Sequence, residues 1–250
     1  VGLPRPQAGL PLLVGLVVCA LFVVRQCRLE KPFLDVRILA NRNYAVSVIS
    51  SMVLYLVMMG SSVMMPLYVQ SVMGCSAVVS GLVTLPGSLA TAVVSPFAGR
   101  LYDKMGIKSL FMAGSAALIL SNLGMFFLRT STPLWVAAGL NVLRNISIGS
   151  LMMPLLTWGT GSVDARKVAD ASSLLTSLRT IAGSIGSAMF VEIMTVVSER
   201  SAAAYGDGAL MHGMNVSFLW MAGGALALCS MVLGSNWYFR GWDLLALMAL

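Results

Sequence analysis

Long apolar runs separated by short polar segments make up most of the chain. Residues 43–99 contain no charged side chain. That stretch is long enough for two bilayer crossings, because about 20 apolar residues cross about 30 Å of hydrocarbon. The pattern predicts seven membrane-spanning helices along the chain, numbered here in order as spans. Their predicted ranges are 10–24, 44–72, 77–98, 107–128, 133–158, 174–197 and 214–234.

Composition makes the membrane assignment firmer. Of the 250 residues, 58% are hydrophobic and 10% are charged, whereas soluble domains carry about 25% charged residues. A soluble fold of this length could not bury so much apolar surface. We therefore expect an all-α integral membrane protein with lipid as a partner.

The formal net charge of +7 does not indicate nucleic acid as a partner, because the basic residues do not form one patch. They cluster in every second connection, after the first, third and fifth predicted spans and after the seventh. Lys and Arg concentrate on cytoplasmic loops. The clusters therefore predict cytoplasmic positions for these connections and for the C-terminus.

Four segments carry family signatures. Residues 66–87 resemble the stretch that joins the first two helices of the C-terminal half in fourteen-helix drug:proton antiporters (EmrB/QacA-like) of the major facilitator superfamily. Residues 99–108, GRLYDKMGIK, are similar to the cytoplasmic loop signature G-x-L-x-D-[RK]-x-G-x-[RK]. Residues 179–188 resemble the run R-x-x-G-G-S-x-G-x-A, with Ala182 in place of the first Gly. Residues 32–37 resemble the link into the second half.

The resemblance implies an order of parts along the chain. Residues 1–26 would form one extra transmembrane helix, 27–43 a cytoplasmic interfacial connection, 44–234 the six-helix C-terminal bundle of a major facilitator fold, and 235–250 a tail of unknown role. The six-helix N-terminal half would be missing from this chain. Besides Ala182, the chain departs from the family at Ser147, which stands where R-x-x-G-x-G has its first Gly.

The same resemblance implies a function. We expect the C-terminal half of a proton-coupled multidrug or small-molecule efflux transporter that works by alternating access in the bacterial inner membrane. The implied partners are protons, small amphipathic or apolar substrates and the missing N-terminal half, with a periplasmic adaptor as a further candidate. The alternative is a non-transporting truncated fragment, or a half-transporter subunit that needs a partner half.

Arg144 is the most informative residue for chemistry. It lies about 16 Å into the fifth predicted span at 1.5 Å per residue. A charge at that depth is costly unless it is paired or hydrated. Asn141 and Asn145 share its helical face. One interpretation is a polar lining of the transport path, and the alternative is a structural ion pair with a carboxylate of the missing half.

Four further residues are candidates for the transport path. Arg179 is close enough to the cytoplasmic end of its span to extend its side chain to the interface. Glu192, the one carboxylate inside a predicted span, could take up protons or merely reach the outer interface. Gln70 is a candidate polar contact for substrate near the outer end of its span. Tyr68 lies beside it.

Two other groups have structural interpretations. The loop signature is expected to gate the cytoplasmic side, although its positive charges could serve topology alone; its members are Gly99, Arg100, Asp103, Lys104, Gly106 and Lys108. Small residues at helical spacing predict close helix packing. These are Gly87, Thr91, Ser95, Gly183, Gly186 and Ser187.

Several chemistries have no support in the sequence. There is no GxxxxGK[ST] motif for ATP-driven transport. With one histidine and no CxxC pair, we expect no metal site, no cofactor and no enzymatic activity.

Overall fold

The computed structural model describes residues 36–248, together with isolated positions at 14, 15, 17, 21 and 25. At residues 36, 102–108, 207 and 232–248 it describes the backbone only. The first predicted span and most of the connection after it therefore lie outside the described residues. The isolated positions in 14–25 are helical.

The described chain is helical, and strands are absent from it. In hydrocarbon every backbone N–H and C=O must be satisfied within the protein, and an α-helix does this inside one segment. The five long helices are α1 (Arg42–Leu67), α2 (Ala77–Phe126), α3 (Leu134–Gly161), α4 (Val168–Tyr205) and α5 (Ala209–Met248). A π-helical turn, Tyr68–Val72, follows α1, and short 3-10 turns occupy Val36–Ala40, Ala165–Lys167 and Gly206–Gly208.

Helix α2 contains two membrane spans, Ala77–Leu101 and Ser109–Phe126. Gly87 from the first span and Met125 from the second both contact the middle of α3. Residues 38 apart on one straight helix would be about 57 Å apart at 1.5 Å per residue. The chain therefore reverses direction between the two spans. With α1, α3, α4 and α5, the described residues provide six helices able to cross a membrane.

The predicted spans from the second to the seventh match these six helices, but several ends differ. Helix α4 covers 168–205 where 174–197 is predicted, and α5 begins at 209 instead of 214 and continues through 235–248. Backbone at 99–108 is helical where a loop is expected. Hydropathy marks the edge of the hydrocarbon, whereas a helix continues beyond it until a cap or a glycine ends it.

Local signals explain where the helices start and stop. The side chain of Asn41 accepts from the backbone N–H groups of Asn43 and Tyr44 and caps α1, and Ser76 caps α2 in the same way. Gly206 has a φ of +50° and ends α4. The π-helical turn begins two residues after Pro66, which has no N–H to donate to the α-helical ladder of α1.

Buried hydroxyl groups connect the helices at both ends of the bundle. The Tyr44 hydroxyl donates to the carbonyl oxygen of Ala171 at 2.6 Å, and Ser47 donates to that of Leu155 at 2.5 Å. Toward the other end, Ser217 donates to the carbonyl oxygen of Phe190 at 3.1 Å. These bonds fix the start of α1 against α3 and α4, and α5 against α4.

Helices α1 and α4 approach closely at two glycines. A Cβ added to Gly183 would lie 2.8 Å from side-chain carbons of Tyr55 and Met59. One added to Gly186 would overlap the backbone carbonyl of Leu56 and lie 2.8 Å from its Cα. Backbone cannot yield as a side chain can, so position 186 requires glycine.

We expect Gly186→Ala to destabilise the purified chain by roughly 1–3 kcal/mol, because the added methyl forces α1 and α4 apart. The measurement is unfolding in mixed micelles with increasing SDS, followed by circular dichroism. Gly223→Ala is the matched control, since the added Cβ on α5 meets no atom within 4 Å. Equal stability of the two variants would contradict the close approach of α1 and α4.

Candidate functional site

The candidate site is built on the middle of α3. Arg144 lies ten residues after Leu134, the first residue of this 28-residue helix, or about 15 Å along its axis. Its side chain is buried, with 3% of its surface exposed. Such a position is too deep for the guanidinium to reach either interface, so protein groups or a cavity must accommodate its charge.

The partners of the guanidinium are electrically neutral. One terminal nitrogen, Nη2, donates to Asn141 Oδ1 at 2.6 Å, and the other, Nη1, contacts Met125 Sδ at 3.1 Å. The Nε atom is buried and has no hydrogen-bond partner. Among the residues that the structure describes, none forms an ion pair with Arg144. Its positive charge is therefore uncompensated within this part of the chain.

An amide pair positions the arginine. Asn145 Nδ2 donates to Asn141 Oδ1 at 3.1 Å and to the Asn141 carbonyl at 2.8 Å. The Thr91 hydroxyl, from α2, lies 3.1 Å from the Asn145 carbonyl oxygen and 3.2 Å from Asn145 Oδ1, so it donates to Asn145. Asn141 Oδ1 thus accepts from both Asn145 and Arg144, and this fixes the orientation of its amide.

Gly87 on α2 gives the amide pair its space. A Cβ at this position would lie 2.6 Å from Asn145 Nδ2 and 2.8 Å from Asn141 Nδ2. One turn further along, a Cβ added to Gly149 would lie 3.4 Å from atoms of Thr91, so α2 and α3 are also close at this level. The predicted small-residue stripe of α2 therefore faces the polar face of α3 at these two residues, and Ser95 beyond them is half-buried.

A cavity of about 250 Å³ opens beside this cluster, between α1, the first span of α2 and α3. Both polar and apolar side chains line it. They are Met58, Ser62, Met65, Pro66, Thr84, Ser88, Asn141, Arg144, Asn145 and Ile148. Ser62 and Ser88 are exposed at its mouth. The lining contains one positive charge and no carboxylate.

The structure brings together three of the seven residues predicted for the transport path, namely Arg144, Asn141 and Asn145. Tyr68 is buried elsewhere, with its hydroxyl donating to the Arg129 carbonyl at 3.2 Å. Gln70 is exposed on the π-helical turn. Neither residue lines the cavity.

The two predicted candidates on α4 also lie away from the cavity. The guanidinium of Arg179 stacks over the Tyr55 ring, with 5.2 Å between its central carbon and the ring centroid. Glu192 is exposed on the surface of α4. Their assignment to a transport path stays a prediction.

The predicted gating loop is described only in part. Gly99 is half-buried, and exposed Arg100 lies over the Phe97 ring at 5.8 Å. Only the backbone is described at the other members of the signature, Asp103, Lys104, Gly106 and Lys108. The gating role of this loop stays a prediction.

Sequence reasoning missed the hydroxyl groups of the cavity. Ser62, Thr84 and Ser88 come from two helices, and only the packing of α1 against α2 brings them together. The spacing of Thr84, Ser88, Thr91 and Ser95 was a usable signal, because it places polar side chains along one side of a helix. Nothing in the sequence pointed to the contact of Met125 with Arg144.

The fold and the cavity define a class: a multi-pass helical membrane protein with a charged, partly polar cavity at mid-depth, as membrane transporters have. Within the described residues, no group of three or more His, Cys, Asp or Glu could hold a metal ion. The family model of the Major Facilitator Superfamily matches residues 4–187, more than half of the chain. The chain therefore belongs to the Major Facilitator Superfamily, a family of transporters and not of enzymes.

Three relatives illustrate the similarity. The chain is 29% identical over 209 residues to the uncharacterized MFS-type transporter YcnB of Bacillus subtilis, covering 83% of this chain and 44% of the relative. It is 30% identical over 196 residues to the lincomycin resistance protein LmrB of Bacillus subtilis, covering 77% of this chain and 40% of the relative. It is 27% identical over 194 residues to the multidrug resistance protein Stp of Mycobacterium tuberculosis, covering 78% of this chain and 36% of the relative. The chain spans less than half the length of these curated relatives.

We expect Arg144→Met to stabilise the purified chain by about 1 kcal/mol or more, because it removes a buried charge that no carboxylate compensates. No polar group is left without a partner, since Asn141 Oδ1 still accepts from Asn145. For a chain of this size the expected rise in Tm is about 2–4 °C per kcal/mol. The measurement is thermal unfolding in a nonionic detergent.

Arg129→Met is the matched control for this prediction. Arg129 is exposed at the end of the bundle, and its hydrogen bonds to Tyr68 and Thr132 are made by its backbone. The Tm of the Arg129→Met variant should therefore change by little. A fall in Tm for Arg144→Met would contradict the prediction, because it would mean that the guanidinium holds the bundle together.

Proposed function

We propose that this chain is the C-terminal half of a proton-coupled exporter of small molecules that works by alternating access in the bacterial inner membrane, with its C-terminus in the cytoplasm. The observation that carries the proposal is Arg144, a buried cation on the wall of a mid-depth cavity that no described carboxylate compensates. Ionisable residues inside a membrane usually mark substrate or ion paths, because their cost is otherwise unexplained.

The helices are unevenly buried within the bundle, and this supports the presence of a second half of the transporter. In the span Ala77–Leu101 only 17% of the apolar window is buried, and in the span of α4 only 28%, against 50% for α1. Glu192 is exposed on α4, and an exposed carboxylate is costly against lipid. A second bundle packed against α2 and α4 would cover both spans and give Glu192 a polar surrounding.

The matched relatives support the class of substrate. Two of them carry the names lincomycin resistance protein and multidrug resistance protein. By extension, small organic molecules are the substrates proposed here. The cavity would contribute this half's share of a site between the two halves, near the midplane, where many transporters bind substrate.

The gene provides the first test. Reading upstream of the Val1 codon should reveal an open frame that encodes about seven further spans and a second copy of the cytoplasmic loop signature. The native polypeptide detected in membranes should then be about twice the mass of this chain. A native product of 26.4 kDa would contradict the two-half proposal and leave the half-transporter alternative.

Transport provides the second test. In proteoliposomes containing the native-length gene product, an imposed pH gradient should drive dye movement that a protonophore abolishes. Arg144→Met should reduce the initial rate at least about tenfold, because the polar anchor of the cavity is lost, while membrane insertion stays normal.

Arg129→Met is again the control and should transport at the native rate. Undiminished transport by Arg144→Met would remove this residue from the path. Transport that persists with protonophore present would instead exclude proton coupling.

A further inference from the structure

The strongest unexplained feature of the cavity is the balance of charge around Arg144. A guanidinium carries five N–H donors and one positive charge. Asn141 and Met125 supply a carbonyl oxygen and a thioether sulfur, which accept hydrogen bonds but do not neutralise the charge. The Nε atom, buried and without a partner, leaves at least one donor for a group that the described chain does not provide.

The hydroxyls of the lining differ in whether their one hydrogen is already used. The hydroxyls of Ser62 and Thr84 donate to carbonyls of their own helices at 2.7 and 3.1 Å. The hydrogen bond from the Ser88 hydroxyl to the Thr84 carbonyl is long, at 3.4 Å. This hydroxyl can therefore donate to a ligand instead at a small cost in free energy. A cation and one adjustable hydroxyl, with no carboxylate among the lining residues, form an electropositive pocket.

The remaining lining is apolar. Met58, Met65 and Ile148 face the same space, and methionine side chains adapt to ligands of irregular shape. Pockets for drug-sized molecules have volumes of about 300–1,000 Å³. A cavity of about 250 Å³ therefore suits a small molecule, or the charged end of a larger one that extends through the mouth at Ser62 and Ser88.

We propose that this cavity binds amphipathic carboxylates, with the carboxylate compensating Arg144 and an apolar body against Met58, Met65 and Ile148. The inference rests on the proposed function and deepens it, because it assigns a negative charge to the preferred substrates. A carboxylate can pair with a guanidinium through two parallel hydrogen bonds and neutralise its charge, whereas a neutral amide accepts hydrogen bonds from it and leaves the charge in place.

The test compares three ligands of matched shape: 4-phenylbutanoate, 4-phenylbutanamide and 4-phenylbutylammonium. Their affinities for the native-length protein in a nonionic detergent are measured by calorimetry. We expect the carboxylate to bind at least about tenfold more tightly than the amide, and the ammonium to bind most weakly. Acetate, a free small anion without the apolar body, should bind more weakly than 4-phenylbutanoate.

Equal affinities for the carboxylate and the amide would overturn the proposal. So would equal affinities for acetate and 4-phenylbutanoate, because the apolar lining would then contribute nothing.

Variants of Arg144 test whether this residue causes the preference for the carboxylate over the amide. In Arg144→Met the affinities for 4-phenylbutanoate and 4-phenylbutanamide should differ by no more than about twofold, because only carboxylate binding is weakened. Arg144→Lys should keep a reduced preference for the carboxylate because it keeps the charge. Arg129→Met should keep the full preference. A preference that survives in Arg144→Met would overturn the assignment. If that variant does not fold, the ranking by the native protein and by Arg144→Lys decides the question.

Transport separates this inference from the proposed function. Dye transport without any carboxylate preference overturns the inference and leaves the exporter. A carboxylate preference that depends on Arg144, in a protein without proton-driven transport, supports the binding site and overturns the exporter.

Discussion

In hydrocarbon, a polar group can bond only to the protein that carries it, and this constraint determines most of the structure. The backbone satisfies it by forming helices, and the hydroxyls satisfy it by donating to carbonyls of their own helices, as Ser115 and Ser184 do. A serine or threonine can therefore lie in a span at small cost. A guanidinium cannot, because its charge remains after its N–H groups have found acceptors. Within the described chain the charge of Arg144 is not neutralised, and this is why we propose a function for its surroundings.

Packing and site chemistry depend on the same residues here. Gly87 lets α2 approach α3, and the space left by its missing Cβ holds the amides of Asn141 and Asn145. Those amides orient Arg144, and Thr91 fixes Asn145 from the α2 side. A shift of α2 along α3 would therefore change the hydrogen bonds that position the guanidinium. The contact at Gly87 therefore shapes the candidate site as well as bringing α2 and α3 together, whereas the contacts at Gly183 and Gly186 join α1 and α4 away from the cavity.

The sequence predicted what one helix determines by itself. Hydropathy located the six described spans because transfer into lipid depends on local composition, and a constant rise per residue gave the depth of Arg144. It did not locate the ends of α4, because a helix continues past the membrane edge. It placed Asn141 and Asn145 on the face of Arg144, but it could not find the neighbours from other spans, since Met125 and Ser88 reach the site only through helix packing. Tyr68 illustrates the same point: its position near Gln70 in sequence gave no indication that its hydroxyl faces the Arg129 carbonyl.

An uncompensated cation in the cavity has a consequence for the proposed cycle. A ligand shifts a conformational equilibrium only by the difference of its affinities for the two states. In an empty, closed cavity Arg144 would lack both water and counterion, and that state would be disfavoured. A bound carboxylate would remove this cost, and it would do so most strongly where water is excluded, because charges interact more strongly at low dielectric. The buried charge would then link closure to loading, so that the empty protein remains open until a substrate of the right charge arrives.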